Sequence, residues 1–243
     1  MTAMELLLLS NSRSPGQAMF AHARDALTEH MDGKHVVFVP YALADHDAYT
    51  ATVAGALGEF GIEVTGIHQA PDPVAAARDA ATVFVGGGNS FRLLRTLQDI
   101  GLVDAIRRAV LAGARYIGSS AGTNMACPSL RTTNDMPIVQ PMSFAALDFV
   151  PFQINAHYLD PDPASPHMGE TREERLLQFL EDNDVPVLGM REGCWLRVSG
   201  RSAVLDGTRP ARLFTRDCAP REVEAGSDLS DLLRTRPRFD LPT

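Results

Sequence analysis

The chain has 243 residues, 45% of them hydrophobic and 21% charged, which is the balance of an ordinary globular protein of one large domain. A net charge of −8 argues against nucleic acid or an anionic membrane surface as partner, although a local basic pocket for a small anion is compatible with it. Three cysteines without a C-x-x-C pair suit a reducing compartment. No apolar run approaches the roughly 18 residues of a membrane span or forms a signal-peptide core, so a cytoplasmic protein is expected.

In chain order, short apolar runs alternate with helical patterns. Residues 5–10 predict a buried strand, and Pro15 opens a helical pattern that continues to residue 31. Residues 34–42 are β-branched and predict a second strand, followed by a helix over 46–60. A third strand is predicted over 61–67 and a helix over 73–80. Residues 81–101 read as strand, glycine loop and helix, followed by a helix over 102–112 and a strand over 115–118. Such alternation builds βαβ units, hence an α/β fold with a mostly parallel sheet flanked by helices. Sites in such folds gather at the carboxyl edge of the sheet. Both glycine clusters, 86–88 and 118–122, directly follow predicted strands and belong on that edge. After residue 187, short strands broken by Gly and Pro predict a small antiparallel section. The domain reading is one α/β hydrolytic domain over 1–219 and a charged, loosely held tail over 220–243.

Gly118-Ser119-Ser120-Ala121-Gly122 fits G-x-S-x-G, a sharp strand-to-helix turn that exposes a serine hydroxyl. The same residues also describe a plain glycine-rich turn. A serine nucleophile needs a base, an acid to orient the base, and donors for the oxyanion. Of seven histidines, His22, His30, His35 and His46 fall on polar helical faces or edges and read as solvated. His157 follows a predicted strand, at the same edge as Ser120, and is the candidate base; His167, in a Pro/Gly-rich loop, is its rival. Asp135 and Glu192 are the candidate acids, and sequence does not rank them. The amide of Ala121 and those of the loop 86–89, ahead of a helix N-terminus, are candidate oxyanion donors. That loop lacks the Lys-Ser/Thr of a P-loop and the spacing of a dinucleotide fingerprint. No metal-ligand set stands out, so neither metal nor cofactor is expected.

Ser120, Asp135 and His157 follow the chain order of α/β-hydrolases, but they lie too close together in the chain for that architecture. The set resembles peptidase E, the S51 family of serine peptidases, on FVGGGNSFRLL (84–94), GSSAGTNMACPSLRTTNDMPIV (118–139), FQINAHY (152–158) and GETREERL (169–176). The likeness spans most of 5–215, and RTTNDMPIV with GETRE is more specific than the serine motif. Ser119 departs from it, standing where an aromatic residue is expected in many relatives. The resemblance implies a fold related to class I glutamine amidotransferases and hydrolysis of dipeptides with an N-terminal aspartate. It implies Ser120 as nucleophile, His157 as base, Asp135 or Glu192 as third member, and Gly88 and Ala121 as oxyanion donors. An aspartyl side chain calls for a guanidinium, and the resemblance offers Arg172, with Asn89 as an amide donor. A free amino terminus calls for an acceptor: Glu170, Asp160 or Asp162. The stretch 158–170 is expected to close over a small substrate. A homodimer is a family-level expectation. The alternatives are a cyanophycinase-like hydrolase, which releases β-aspartyl dipeptides from a polymer, and a non-catalytic amidotransferase-like binding module.

Overall fold

The computed structural model describes residues 3–31, 35–162, 164 and 168–242. Its elements are β1 (Glu5–Leu9), α1 (Arg24–His30), β2 (His35–Val39), α2 (His46–Gly58), β3 (Glu63–Gly66), α3 (Pro73–Asp79), β4 (Thr82–Val85), α4 (Ser90–Asp99) and α5 (Leu102–Ala112). The chain continues through β5 (Arg115–Ser119), α6 (Ala121–Met125), β6 (Gln153–Ala156), α7 (Arg172–Asp182), β7 (Val187–Met190), β8 (Cys194–Ser199), β9 (Ser202–Gly207), β10 (Ala211–Phe214) and β11 (Arg221–Val223).

The larger sheet has the order β3-β2-β4-β5-β1-β8-β9. Its first five strands are parallel, and β8 and β9 extend it antiparallel. Its centre is legible in β1, where Leu6, Leu7, Leu8 and Leu9 are each 0% exposed. Strand period two divides them between the faces. Leu6 and Leu8 pack in one core with Leu102 and Ile106 of α5, while Leu7 and Leu9 pack in another with Leu27 of α1 and Val53 and Leu57 of α2. The smaller sheet has the order β11-β10-β7-β6, with β6 and β7 parallel.

Three expectations are revised. The helix read from Pro15 starts only at Arg24, after a 3-10 turn at Ala21–Ala23. Phe20 adopts a φ of 63° and turns its ring into the core, 5.5 Å from that of Phe84. The chain after 187 is not one antiparallel section, because β7 pairs parallel to β6 while β8 and β9 join the other sheet. The stretch after 219 is tied down rather than loose. It supplies β11, its Arg238 exchanges backbone bonds of 2.8 and 3.1 Å with Asp184, and Asp240 receives the Arg131 guanidinium at 2.6 Å. Among the described residues, no helix is long and apolar enough to cross a membrane.

Candidate active site

Ser120 sits between β5 and α6 with φ 54° and ψ −109°, a conformation that bends the chain sharply and is held by its surroundings. A side chain at Gly122 would overlap the carbonyl oxygen of Val85, so only glycine lets α6 start this close to β4. The Ser120 amide donates to Leu9 O at 3.0 Å, which fixes the turn against β1. Ser119, the position that departs from the family pattern, is buried beneath the turn at 1% exposure, and its hydroxyl has no partner among the described residues.

The ends of β6 and β7 lie side by side, Ala156 opposite Met190. Just beyond them His157, at φ 54°, turns its ring toward the serine. Nε2 lies 2.8 Å from Ser120 Oγ, and Nδ1 lies 2.7 Å from Glu192 Oε1. Asp135 is not on the ring. Its Oδ2 accepts the Ser90 amide at 2.7 Å and the Thr133 hydroxyl at 3.2 Å. The first amides of α4 lack intrahelical acceptors and carry the positive end of the helix dipole, so a carboxylate beside them is captured there. Of the two acids that sequence left unranked, the geometry brings Glu192 to the imidazole.

Gly88 has a φ of +131°, where a side chain would meet Ala42 O at 2.7 Å. Its amide and that of Ala121 have no acceptor among the described residues. The neighbouring Gly87 amide donates instead to the Tyr49 hydroxyl at 2.8 Å. Burial pushes that phenol up to about 12, so it stays neutral with its own proton free to donate.

Two hollows meet at the serine. The larger, about 680 Å³, is bordered by Tyr49, Gly87, Gly88, Ser120, Asp135 and His157. The smaller, about 200 Å³, is bordered by Ser120, Asn124, Thr133, Asp135, His157 and Arg172. Arg172 opens α7, and its Nη1 is buried without a partner among the described residues. Burial first, then Arg175, lowers its proton affinity, against the pull of Glu192. The acids next to it are engaged elsewhere. Glu173 meets Arg212 and the Tyr158 hydroxyl, and Glu174 forms a capping box with Thr171. Half of the GETRE signal is therefore a helix start.

The remaining expected residues lie apart from the serine. Asn89 caps α4 through Oδ1 and donates Nδ2 to Met136 O. Glu170 receives Gln178 on the exposed side of α7, Asp160 pairs with Arg191, and Asp162 accepts the Ala164 amide. None of these four borders either hollow. Both hydrogen-bonding groups of Asn89 are used locally, and each of the three carboxylates has a local partner. His167 and part of the expected closing stretch 158–170 lie outside the described residues. His30, read as solvated, is only 3% exposed and bonds Tyr116 O at 3.1 Å; burial pulls it down to about 4. Both ring nitrogens of His22 are buried as well. Sequence reading missed Tyr49, Ser10 and Asn11. Tyr49 has no motif to mark it. The polar pair after four successive leucines, on the same carboxyl edge, was an available signal.

Comparison with known proteins matches residues 6–205 to the model of peptidase family S51. Peptidase E of Streptomyces coelicolor is 62% identical over 241 residues, 99% of each chain. A "Probable alpha-aspartyl dipeptidase" of Drosophila melanogaster is 52% identical over 237 residues, 96% of this chain and 99% of that one. Among solved structures, a peptidase from an acI-B1 actinobacterium superposes with a TM-score of 0.68 at 15% identity, covering 93% of this chain and 96% of that one. That likeness bears on fold alone.

Proposed function

From the premise that this chain belongs to peptidase family S51, we propose that it is a serine dipeptidase cleaving the bond after an N-terminal aspartate. The observation that carries the reading is the line of contacts from Ser120 Oγ to His157 Nε2 at 2.8 Å and from His157 Nδ1 to Glu192 at 2.7 Å. His157 removes the serine proton as Oγ attacks the peptide carbonyl, and Glu192 holds the ring and stabilises the imidazolium. The unpartnered amides of Gly88 and Ala121 receive the oxyanion. The imidazolium then protonates the departing amine, and water, activated by the same ring, releases aspartate from the acyl-enzyme.

The aspartyl side chain enters the smaller hollow, where Arg172 presents a buried donor to its carboxylate. The substrate ammonium meets Asp135, which borders both hollows and has no cationic partner among the described residues. Three free cysteines support a reducing, cytoplasmic setting. A homodimer is supported by the run 136–144, which holds no charge and exposes Met136, Ile138, Met142 and Phe144, the composition of a homodimer contact.

A panel of Asp-Leu, N-acetyl-Asp-Leu, Glu-Leu, Leu-Leu, β-Asp-Arg and a nitrophenyl ester tests this. Asp-Leu is the preferred substrate, the acetylated peptide is spared, and Ser120→Ala lowers the rate roughly 10³- to 10⁶-fold. Turnover of Asp-Leu that survives the alanine change removes the mechanism. Preference for β-Asp-Arg transfers the site to the cyanophycinase-like reading.

A further inference from the structure

The reacting groups come from different sheets. Ser120 is carried by β5 of the larger sheet, whereas His157 and Glu192 follow β6 and β7 of the smaller one. The distances between them therefore depend on how the two sheets are registered, and β1 ends at that junction. Three consecutive residues there bond to backbone at or beside each of the three groups. Leu9 O accepts the Ser120 amide at 3.0 Å and the Thr123 hydroxyl at 2.6 Å. Ser10 Oγ accepts the His157 amide at 3.0 Å and donates to Met190 O, the end of β7, at 2.8 Å. Asn11 Oδ1 accepts the amide of Gly193, next to Glu192, at 2.8 Å.

We propose that Ser10 and Asn11 are positioning residues that register the nucleophile's sheet against the sheet of the base and acid. The inference rests on the assignment of Ser120, His157 and Glu192 made above. Ser10 is 0% exposed and Asn11 1%, so both bonds are made away from water, where leaving one unmade is expensive. A hydroxyl both accepts and donates, and Ser10 uses both capacities, one toward each strand end. The backbone at His157 is held at φ 54°, and the Ser10 hydroxyl receives its amide there. Asn11 is fixed in turn by donating Nδ2 to Arg13 O at 2.6 Å and Ser14 Oγ at 3.2 Å. Neither residue borders a hollow, so they act on the reacting groups and not on the substrate.

The test compares Ser10→Ala, Ser10→Thr and Asn11→Ala with the wild type in steady-state kinetics, thermal denaturation and proton NMR of the imidazole N–H facing Glu192. Misplacing a catalytic group by about 1 Å lowers the rate roughly 10²-fold. The expected result for Ser10→Ala and Asn11→Ala is therefore a kcat down about 10²-fold with KM within about threefold, because binding is untouched. The downfield N–H signal weakens, since the imidazole loses its aligned carboxylate. Ser10→Thr, which keeps the hydroxyl, restores most of the rate. The proposal is overturned if the alanine variants keep wild-type kcat. It is equally overturned if their loss follows the unfolded fraction while the N–H signal stays unchanged. Should Ser10→Ala fail to fold, Asn11→Ala and Ser10→Thr carry the same comparison. Activity surviving in Ser120→Ala is a separate failure, of the serine assignment, and leaves the N–H signal as the reading of register.

Discussion

Arg172 brings a cation into a half-buried site where its Nη1 has no hydrogen-bond partner among the described residues. Such a charge is a deficit in the empty protein, and the deficit ends when a carboxylate-bearing substrate arrives. Arg172→Met is therefore expected to divide two properties that usually fall together. Truncating one partner of a desolvated charge pair removes about 2–5 kcal/mol of binding, so kcat/KM for Asp-Leu drops roughly 30- to 5,000-fold while the melting temperature holds or rises. Wild-type selectivity between Asp-Leu and Leu-Leu in this variant ends the pocket assignment. Ser120 and His157 were legible because each follows a strand on the same edge, a local fact. The choice between Asp135 and Glu192 was not legible, because it depends on which donor each carboxylate meets in three dimensions. Asp135 is taken by the first amide of α4, Asp160 by Arg191, and His30 by a carbonyl of the neighbouring β5. Each capture joins residues distant in sequence, and no pattern of spacing announces it.

Behind His157 and Glu192, the ends of β6 and β7 are clamped by one side chain. Arg191, 7% exposed, binds Asp160 at 2.6 Å and Glu222 of β11 at 2.8 Å, and lies 5.6 Å from the centre of the Tyr158 ring. Asp160 and Glu222 are both held below the usual carboxylate range, first of all by their hydrogen bonds to Arg191. Removing one partner of a fully buried pair costs about 3–5 kcal/mol. Both carboxylates here are over 40% exposed, so water recovers part of that, and Arg191→Met is expected to destabilise by about 2 kcal/mol. Depressed carboxylate pKa values give stability that is present above the unfolded values and lost as pH falls through the folded ones. The gap between wild type and variant in denaturant titrations therefore closes below about pH 4. A gap that persists there assigns the effect to packing against Tyr158. The same contact explains why 220–243 misread as a loose tail. Its charges look solvated in sequence, yet they are the counter-ions of Arg191, Arg131 and Asp184.

At the scale of the molecule, the parallel half of the larger sheet was legible from Leu6–Leu9 and the strand-helix alternation through residue 119. The second sheet was not, because β6, β7 and β10 are only four residues each and almost wholly buried, too short for a periodicity to say which sheet they join. Only pairing with β1 or with β6 decides, and both lie far away in the chain. The exposed apolar run 136–144 adjoins Asp135, so an assembly that covers it lies beside the substrate entrance. Replacing Phe144 and Met142 together by Asp is expected to convert a dimer to a monomer in light-scattering chromatography, by placing like charges across a two-fold contact. A wild-type protein that is already monomeric at micromolar concentration ends that assignment.

The proposed hydrolytic centre is split between two sheets that share no strand. A polypeptide that has finished only one of them owns a serine without an imidazole, or an imidazole without a serine, and is chemically silent. During refolding, cleavage of Asp-Leu can begin only once the halves have docked. Recovery of turnover is thus a clock for the last stage of assembly, set apart from the earlier return of helix and strand.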